Sequence, residues 1–479
     1  MIKKTKIVAT IGPASDNKQT ILDMVKNGVN VFRLNFSHGT HEYHKKNLDI
    51  IREVEKELGV RIGVLQDISG PKIRIGKLEN TFMLKAGDKI VFRKEEILGK
   101  QIGENCYETC INHPEILDMM KLGEYIYLYD GAVRAKVIKA GNDVEAVIEN
   151  DGVITSNKGV NFPNTRINVD VITAKDRMDM EWGAKNGVNF VAISFVQNAN
   201  DIVKARKILA ELNSKAQLYA KIEKFDAIEN IDEILNICDG IMVARGDLGI
   251  EVPFYEVPNI QKMLIKKANN MNKPVITATQ MMLSMTEHDR ATRAEISDVA
   301  NAVLDGTDAV MLSEESAIGK HPPLVVKAMA NTIIETEKLY PYNKFDNFSF
   351  FDETDMIASS TSRLATNLNA CGILSITGSG KSAIKMSRNR PKMDILAIAH
   401  DEQTAHSLCM VWGVDPIMVK DKIKVDELIA SIMKDGINEH FISDECTYVM
   451  TAGFQTGVEG STNYIRIIKR DQIDYYRNL

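Results

Sequence analysis

The chain has 479 residues, more than a single hydrophobic core usually organises, so its length calls for several domains. Its 44% hydrophobic and 26% charged residues are the balance of a globular protein, and 59 basic against 65 acidic residues leave a formal charge of −6. With that charge and no long basic block, nothing in the composition points to nucleic acid or an anionic membrane, so any phosphorylated substrate must be held by local cations.

The first residues, MIKKTKIVATIGPAS, lack the long apolar stretch and small-residue cleavage site of a secretory signal, and no apolar run reaches transmembrane length. Cys106, Cys110, Cys238, Cys371, Cys409 and Cys446 are scattered, which matches neither a disulfide framework nor a paired C-x-x-C metal site. The expected setting is a reducing cytoplasm.

Short runs rich in Val and Ile come first: KIVAT (6–10), VNVFRLN (29–35) and IGVLQD (62–67), separated by segments of helical period. From about residue 71 to 169 the texture changes. TFMLKAGDKIVFRK, EYIYLYDGAVRAKVIKAG and DVEAVIENDGVITSNKGVNFP alternate apolar and polar residues with DG and GN turn signals, which predicts an inserted all-β lid domain. The first rhythm then returns as FVAISF (190–195), LYAKIE (218–223), GIMVARGD (240–247), PVITATQ (274–280) and DAVMLSEE (308–315). Eight apolar strands alternating with helices predict a parallel sheet closed into a (β/α)8 TIM barrel over residues 1–70 and 170–341, with the lid at 71–169. A polar, aromatic stretch, YNKFDNFSFFDETD, follows residue 341; ACGILSIT (370–377) and DILAIAH (394–400) then open a C-terminal α/β domain over 342–479.

Each barrel strand starts apolar and ends polar, and in a barrel all the carboxyl ends open on one face, where the active site sits. Lys221 and Glu223 share a side of their strand because side chains alternate with period two. Asp247 ends the next strand, so two carboxylates converge on one hard cation, Mg²⁺ or Mn²⁺, with no Cys or His nearby. Gly246 and Gly249 flank Asp247 and permit close backbone approach to a ligand, although a tight turn alone would use the same glycines. Arg33, Asn35 and Ser37 point together, and Arg74 lies just past the third strand. Two arginines beside a divalent metal and a lysine make an environment for phosphoryl transfer.

The stretches TIGPAS, RLNFSHG, GPKIR, AKIE, GIMVARGDLGIE, ATQM and MLS-x-E, in that order, resemble the pyruvate kinase family across the chain. The resemblance implies transfer of the phosphoryl group of phosphoenolpyruvate to ADP, giving pyruvate and ATP. It assigns Lys221 to stabilising the enolate, Glu223 and Asp247 to Mg²⁺, and Arg33 to the phosphoryl group. Gly246, Asp247 and Thr279 would hold the substrate, and Thr279 and Ser313 would lie where the enolate is protonated. Thr10, Pro13, Asn35, His38, Arg74 and Lys175 would cradle the nucleotide. A potassium site would use Asn35, Ser37, Asp67 and the carbonyl of Ile68. Here, however, Ile68 and Lys72 stand where potassium-requiring members usually have Thr and Glu, so an ammonium replaces the ion and K⁺ is expected to be dispensable. Glu314 also departs from the usual Gly or Ala and is expected to point to solvent. The family further implies a homotetramer and a phosphorylated allosteric activator, held by Thr377, Ser379, Gly380, Lys381 and Ser382 beside 460–463.

Ser379-Gly380-Lys381-Ser382 ends like a P-loop, but Ser375 occupies the position where that motif needs its first Gly. His38, His41 and His44 lack the partners of a zinc site, and the last two are expected to face solvent. Two other readings remain: a Mg²⁺-dependent barrel aldolase or lyase acting on a pyruvate enolate, and a non-catalytic metabolite sensor. The all-β insertion and paired arginines weigh against the first. The intact set of Lys221, Glu223, Asp247 and Arg33 weighs against the second.

Overall fold

A computed structural model describes residues 3–129, 131–163, 165–167, 169–344, 348, 351–419, 425–438, 441–453 and 462–477. Eight parallel strands, β1 (Lys6–Thr10), β2 (Val31–Asn35), β3 (Gly63–Asp67), β4 (Phe190–Ile193), β5 (Gln217–Ile222), β6 (Gly240–Ala244), β7 (Val275–Ala278) and β8 (Ala309–Leu312), close into a barrel in sequence order. Nearly every strand residue is buried, which is why the runs read as continuously apolar: helices cover the outside, and side chains such as Val8, Leu65, Phe190, Tyr219, Met242 and Met311 fill the inside. Gly240 has no side chain because a Cβ there would lie 2.4 Å from the Tyr219 ring. The covering helices carry their own start and stop signals. Thr40 caps His41–Leu58, which ends at Gly59 with φ 66°, and Thr292 with Glu295 forms a capping box for Arg293–Asp305.

Between β3 and β4 the chain leaves to build a seven-stranded sheet and a separate two-stranded one. In Val133–Lys139 every second residue from Val133 to Val137 is buried, and Phe92, Ile126, Ala135 and Phe162 belong to a core separate from the barrel's. That core lets the insertion hold its shape as a unit.

The last part of the chain folds as a five-stranded sheet in the order Val414–Met418, Asp394–Ala399, Gly372–Thr377, Tyr448–Gly453 and Thr462–Ile468, with only the final pairing antiparallel. Here the cysteine reading is corrected. Cys371 and Cys446 form a disulfide across 75 residues of sequence. Spacing along the chain could not reveal it, because pairing of Gly372 with Tyr448 brings the two strand entrances together.

This sheet docks beneath the barrel. Cys409 and Met410 pack with the residues filling the barrel interior, so the C-terminal domain plugs its floor. Arg390 anchors the seam: its buried guanidinium donates to Asp308 Oδ1 at 3.0 Å, Asn269 Oδ1 at 3.0 Å and the Gly306 carbonyl at 2.7 Å, and it lies over the Trp412 ring. Removing one partner of a buried pair leaves a charge without compensation and costs about 3–5 kcal/mol. Arg390→Leu is therefore expected to lower the urea unfolding midpoint by a corresponding amount; a native midpoint would show that the seam does not depend on this pair.

Candidate active site

At the carboxyl end of the barrel, Lys221 of β5 sits among oxygens. Its ammonium lies 2.8 Å from Ser194 Oγ, 3.2 Å from Asp67 Oδ1 and 3.5 Å from Glu223 Oε2, with the side chain 12% exposed. Asp67 also accepts from Arg33 Nε at 2.7 Å, and Arg33 NH1 reaches Thr10 Oγ1 at 3.0 Å. Lys221, Asp67, Arg33 and Thr10, from four strands, are thereby locked together. Burial alone would lower the Lys221 pKa, but Asp67, Glu223 and Asp247 outweigh it and hold it above the usual lysine value. Burial would raise Asp67, yet Lys221 and Arg33 hold it below the ordinary range.

Glu223 is in the opposite condition. Its carboxylate is 1% exposed, and burial pushes its pKa to about 7, with Lys221 opposing and Asp247 reinforcing the shift. The Phe195 amide donates to Glu223 Oε1 at 2.6 Å, and the bulky Phe195 takes φ 58° to do so. Two hard carboxylates, one destabilised as an anion by burial and by the other, suit a divalent cation bound through oxygen. Among the described residues no group of three or more His, Cys, Asp and Glu is assembled for a metal. That fits Mg²⁺, which is commonly held by one or two carboxylates together with water and substrate phosphate.

Asp247 lies on the helix Arg245–Glu251, directly after β6. Beside it Thr279 adopts φ 71° and Gln280 φ 54°, left-handed backbone that a β-branched residue resists. Thr279 is held there from several sides: its Oγ1 accepts from the Gly246 amide at 2.7 Å, and its carbonyl accepts from Arg245 at 2.7 Å. Ser313 follows β8, its amide donating to Glu315 Oε2 at 2.8 Å. Glu314 is exposed, as expected, while Ser316 Oγ donates to the Thr10 carbonyl at 2.8 Å.

Between this mouth and the β insertion lies a cavity of about 400 Å³ whose walls include Asp247, His38, Lys72, Arg74 and Lys158. It brings Arg74 and His38 together, and burial followed by the charges of Lys72, Arg74 and Arg33 lowers the His38 pKa. Pro13 is exposed in the loop after β1, and Asn35 Oδ1 accepts from the Ser37 amide at 3.1 Å. Lys175 is placed differently: its ammonium is engaged by the Phe36 carbonyl at 2.8 Å and Asp179 at 2.6 Å, and it is not part of the cavity wall. Besides Lys72, the insertion contributes Lys158 to the wall, 4.3 Å from the Tyr129 ring centroid. Sequence reading missed it because a lysine in a β turn looks like any surface lysine. Ser194 was read only as a polar strand end, and its bond to Lys221 was not foreseen.

The histidine reading needs correcting for one of the two. His44 is buried and stacked on Phe36, centroids 4.1 Å apart, whereas the His41 side chain is 40% exposed and pairs with Asp179 at 2.7 Å.

In the C-terminal domain, Thr377 Oγ1 accepts from the Gly380 amide at 2.9 Å, Ser375 and Ser382 hydroxyls lie 3.2 Å apart, and Gly380 takes φ 81° before the helix Lys381–Arg388. Ser379 and Lys381 lie in the same turn. Gly460 and Ser461 fall outside the described residues, and Thr462 and Asn463 begin the last strand. Among the described residues no helix is long and apolar enough to cross a membrane.

Comparison with known proteins gives the same picture. The family model described as pyruvate kinase, barrel domain, matches residues 2–326, and that described as pyruvate kinase, alpha/beta domain, matches 355–468. The chain is similar to pyruvate kinase 2 of Synechocystis sp., 41% identical over 475 residues covering 97% of this chain and 79% of the relative. It is likewise similar to the pyruvate kinase of Staphylococcus epidermidis, 40% identical over 474 residues, 97% of this chain and 80% of the relative. A crystal structure of a pyruvate kinase from Cryptosporidium parvum superimposes with a TM-score of 0.92 at 32% identity, covering 98% of this chain and 96% of that one. With family models matching both the barrel and the α/β domain, and relatives alike over nearly its whole length, the chain belongs to the pyruvate kinase family of phosphotransferases.

Proposed function

We propose that this chain transfers the phosphoryl group of phosphoenolpyruvate to ADP. The observation that carries the reading is Lys221, buried between Asp67 and Glu223 with Asp247 nearby, where Asp247 also lines a cavity that carries Lys72, Arg74 and Lys158. The enol phosphate P–O bond breaks, a β-phosphate oxygen of ADP forms the new one, and the electron pair left on the enol oxygen is delivered to the terminal carbon when it is protonated.

Each side chain then has a task. Lys221 keeps its proton at neutral pH and faces the oxygen on which enolate charge develops, so its attraction grows as the P–O bond lengthens. Arg33, aimed by Asp67 and Thr10, lies against the transferring phosphoryl group. Gly246, Asp247 and Thr279 hold the carboxylate end, and Thr279 with Ser313 line the side on which carbon is protonated. Glu223 and Asp247 would hold Mg²⁺ or Mn²⁺, which supplies charge neutralisation between the two phosphate-bearing reactants. Thr10, Pro13, Asn35, His38 and Arg74 face ADP, with Lys158 added from the lid. Lys175 serves there only if it leaves Asp179. Lys72, half-buried on the cavity wall, supplies the positive charge that potassium would otherwise bring to the neighbourhood of Asn35, Ser37 and Asp67.

Beyond the reaction, we read the chain as a barrel of 1–70 and 170–341, a lid of 71–169 that closes to exclude water, and a regulatory domain of 342–479. The Thr377–Ser382 turn would receive a phosphorylated effector in a cytoplasmic homotetramer.

The direct test is pyruvate formation from phosphoenolpyruvate with and without ADP, in Mg²⁺ buffer free of potassium and again with it. ADP-dependent pyruvate supports the kinase, while pyruvate formed equally without ADP would mean that water takes the phosphoryl group, and would overturn transfer to ADP. Lys221→Met is expected to reduce kcat by at least about 10³-fold with KM little changed, since a lost oxyanion contact alone costs about 10²–10³. Lys72→Glu is expected to make activity potassium-dependent; activity that stays indifferent to potassium removes Lys72 from that role. Glu223 yields a stability test in metal-free protein. Its pKa is about 7 folded against 4.5 for an ordinary glutamate, so the folded state holds the extra proton between those values. Stability should fall as pH rises from 4.5 to 7, and Glu223→Gln should flatten that part of the urea-midpoint profile.

A further inference from the structure

Glu223 and Lys224 are consecutive residues at the end of one barrel strand, and they face different neighbours. Glu223 meets Lys221 and feels the charge of Asp247. Lys224 donates instead to Glu251 Oε1 at 2.8 Å, and the two side chains are 8% and 2% exposed. Glu251 is the last residue of the helix Arg245–Glu251, one turn beyond Asp247. The strand and the helix are therefore joined by two neighbouring rungs. One is the pair of carboxylates Glu223 and Asp247; the other is the ion pair Lys224 and Glu251.

That helix needs outside support. It has seven residues and no side-chain cap at its start, too short to hold itself by its own hydrogen bonds. Arg245 fixes its first turn, bonding Asp298 at 2.7 Å and the Thr279 carbonyl at 2.7 Å. Buried Leu248 packs its middle, and Lys224 holds its end. The helix is also approached by the insertion: a Cβ built on Gly131 would lie 3.6 Å from Ile250 Cγ2. The insertion therefore lies close against the side of this helix, while Asp247 must stay in register with Glu223.

A buried ion pair gives little net stability over an apolar pair of similar volume, because desolvation offsets most of the attraction. What it does supply is direction, since an ammonium bonded to a carboxylate oxygen tolerates less sliding than packed methylenes. We propose that Lys224 and Glu251 are positioning residues for the divalent-cation site: their bond fixes the helix so that the Asp247 carboxylate stays opposite Glu223. This rests on the reading of Glu223 and Asp247 as the metal carboxylates.

The test is Mn²⁺ binding to the full chain without substrates, with free Mn²⁺ followed by its electron paramagnetic resonance signal, alongside the urea midpoint. The variants are Lys224→Met/Glu251→Leu, which replaces the pair by apolar side chains, and Glu251→Gln, which keeps a neutral acceptor for Lys224. Both are expected to bind Mn²⁺ about tenfold more weakly, the usual scale for losing support around a metal ligand, the double variant at a native midpoint and Glu251→Gln at a lowered one because it leaves the Lys224 charge without its partner. Native Mn²⁺ affinity in the double variant overturns the proposal. Should the double variant lose midpoint as well, binding is read well below both midpoints, where the chains are folded: weakened binding supports the proposal, and native binding overturns it. Glu223→Gln separates the two levels of inference. If it too binds Mn²⁺ like the native chain, the metal assignment itself fails; if it loses binding while the pair variants keep it, only the positioning role of Lys224 and Glu251 is overturned.

Discussion

The constraint on which the mouth of this barrel depends is charge balance in a space with little water. Asp67, Glu223 and Asp247 must coexist there, with Lys221 and Arg33 in direct contact to compensate them and Lys72 adding positive charge near Asp67 and Asp247. The balance is uneven by construction. Asp67 is held by both cations and stays anionic, while Glu223 has only the flank of Lys221 and one amide, and its pKa is raised. An uncompensated buried carboxylate costs the folded protein stability, and a divalent cation between Glu223 and Asp247 would return it. The same imbalance would favour a cation there, which is how strain at a functional site is expected to be distributed.

Backbone geometry shows the same trade. Phe195, Thr279 and Gln280 all take positive φ, and all sit at strand ends on the mouth face. Two of these conformations are held by bonds that also build the site: Phe195 delivers its amide to Glu223, and Thr279 is clasped by Gly246 and Arg245. The rest of the barrel can hold these positions because its interior is filled and its floor is plugged by Cys409 and Met410. Rigidity below allows strain above.

Much of this was legible in the sequence, for reasons that differ by residue. The strands were legible because a sheet buried on both faces writes itself as unbroken Val and Ile, and the polar ends such as Lys221, Glu223 and Asp247 had to meet once the barrel closed. The insertion was legible by its change of period. What could not be read were contacts that depend on docking between distant segments. Lys175 looked available but is engaged by Asp179; Lys158 looked like a surface residue but reaches the cavity. His44 looked solvent-facing because a lone polar residue on a helix usually is, yet its ring stacks on Phe36. Cys371 and Cys446 meet only because their strands are neighbours in the sheet.

The seam beneath the barrel limits how any regulation could reach the mouth. Thr404 Oγ1 donates to the Gly378 carbonyl in the turn 377–382 at 3.2 Å. On the same helix, Glu402–Ser407, His406 lies 2.6 Å from Glu55, and Gln403 accepts from Asn189 at 3.2 Å. Asn189 in turn accepts from the Val64 amide at 2.8 Å, near the start of β3, the strand that ends in Asp67. A ligand in the turn 377–382 that moved this helix or the plug beside it would push on β3 and so on Asp67, because that strand is buried and hydrogen-bonded on both sides. A strand so confined transmits displacement along its axis better than it absorbs it. The physical question for regulation is thus narrow: whether Glu402–Ser407 has two stable seats against the barrel, since a helix with only one would hold the floor in place and leave the mouth indifferent to what binds below.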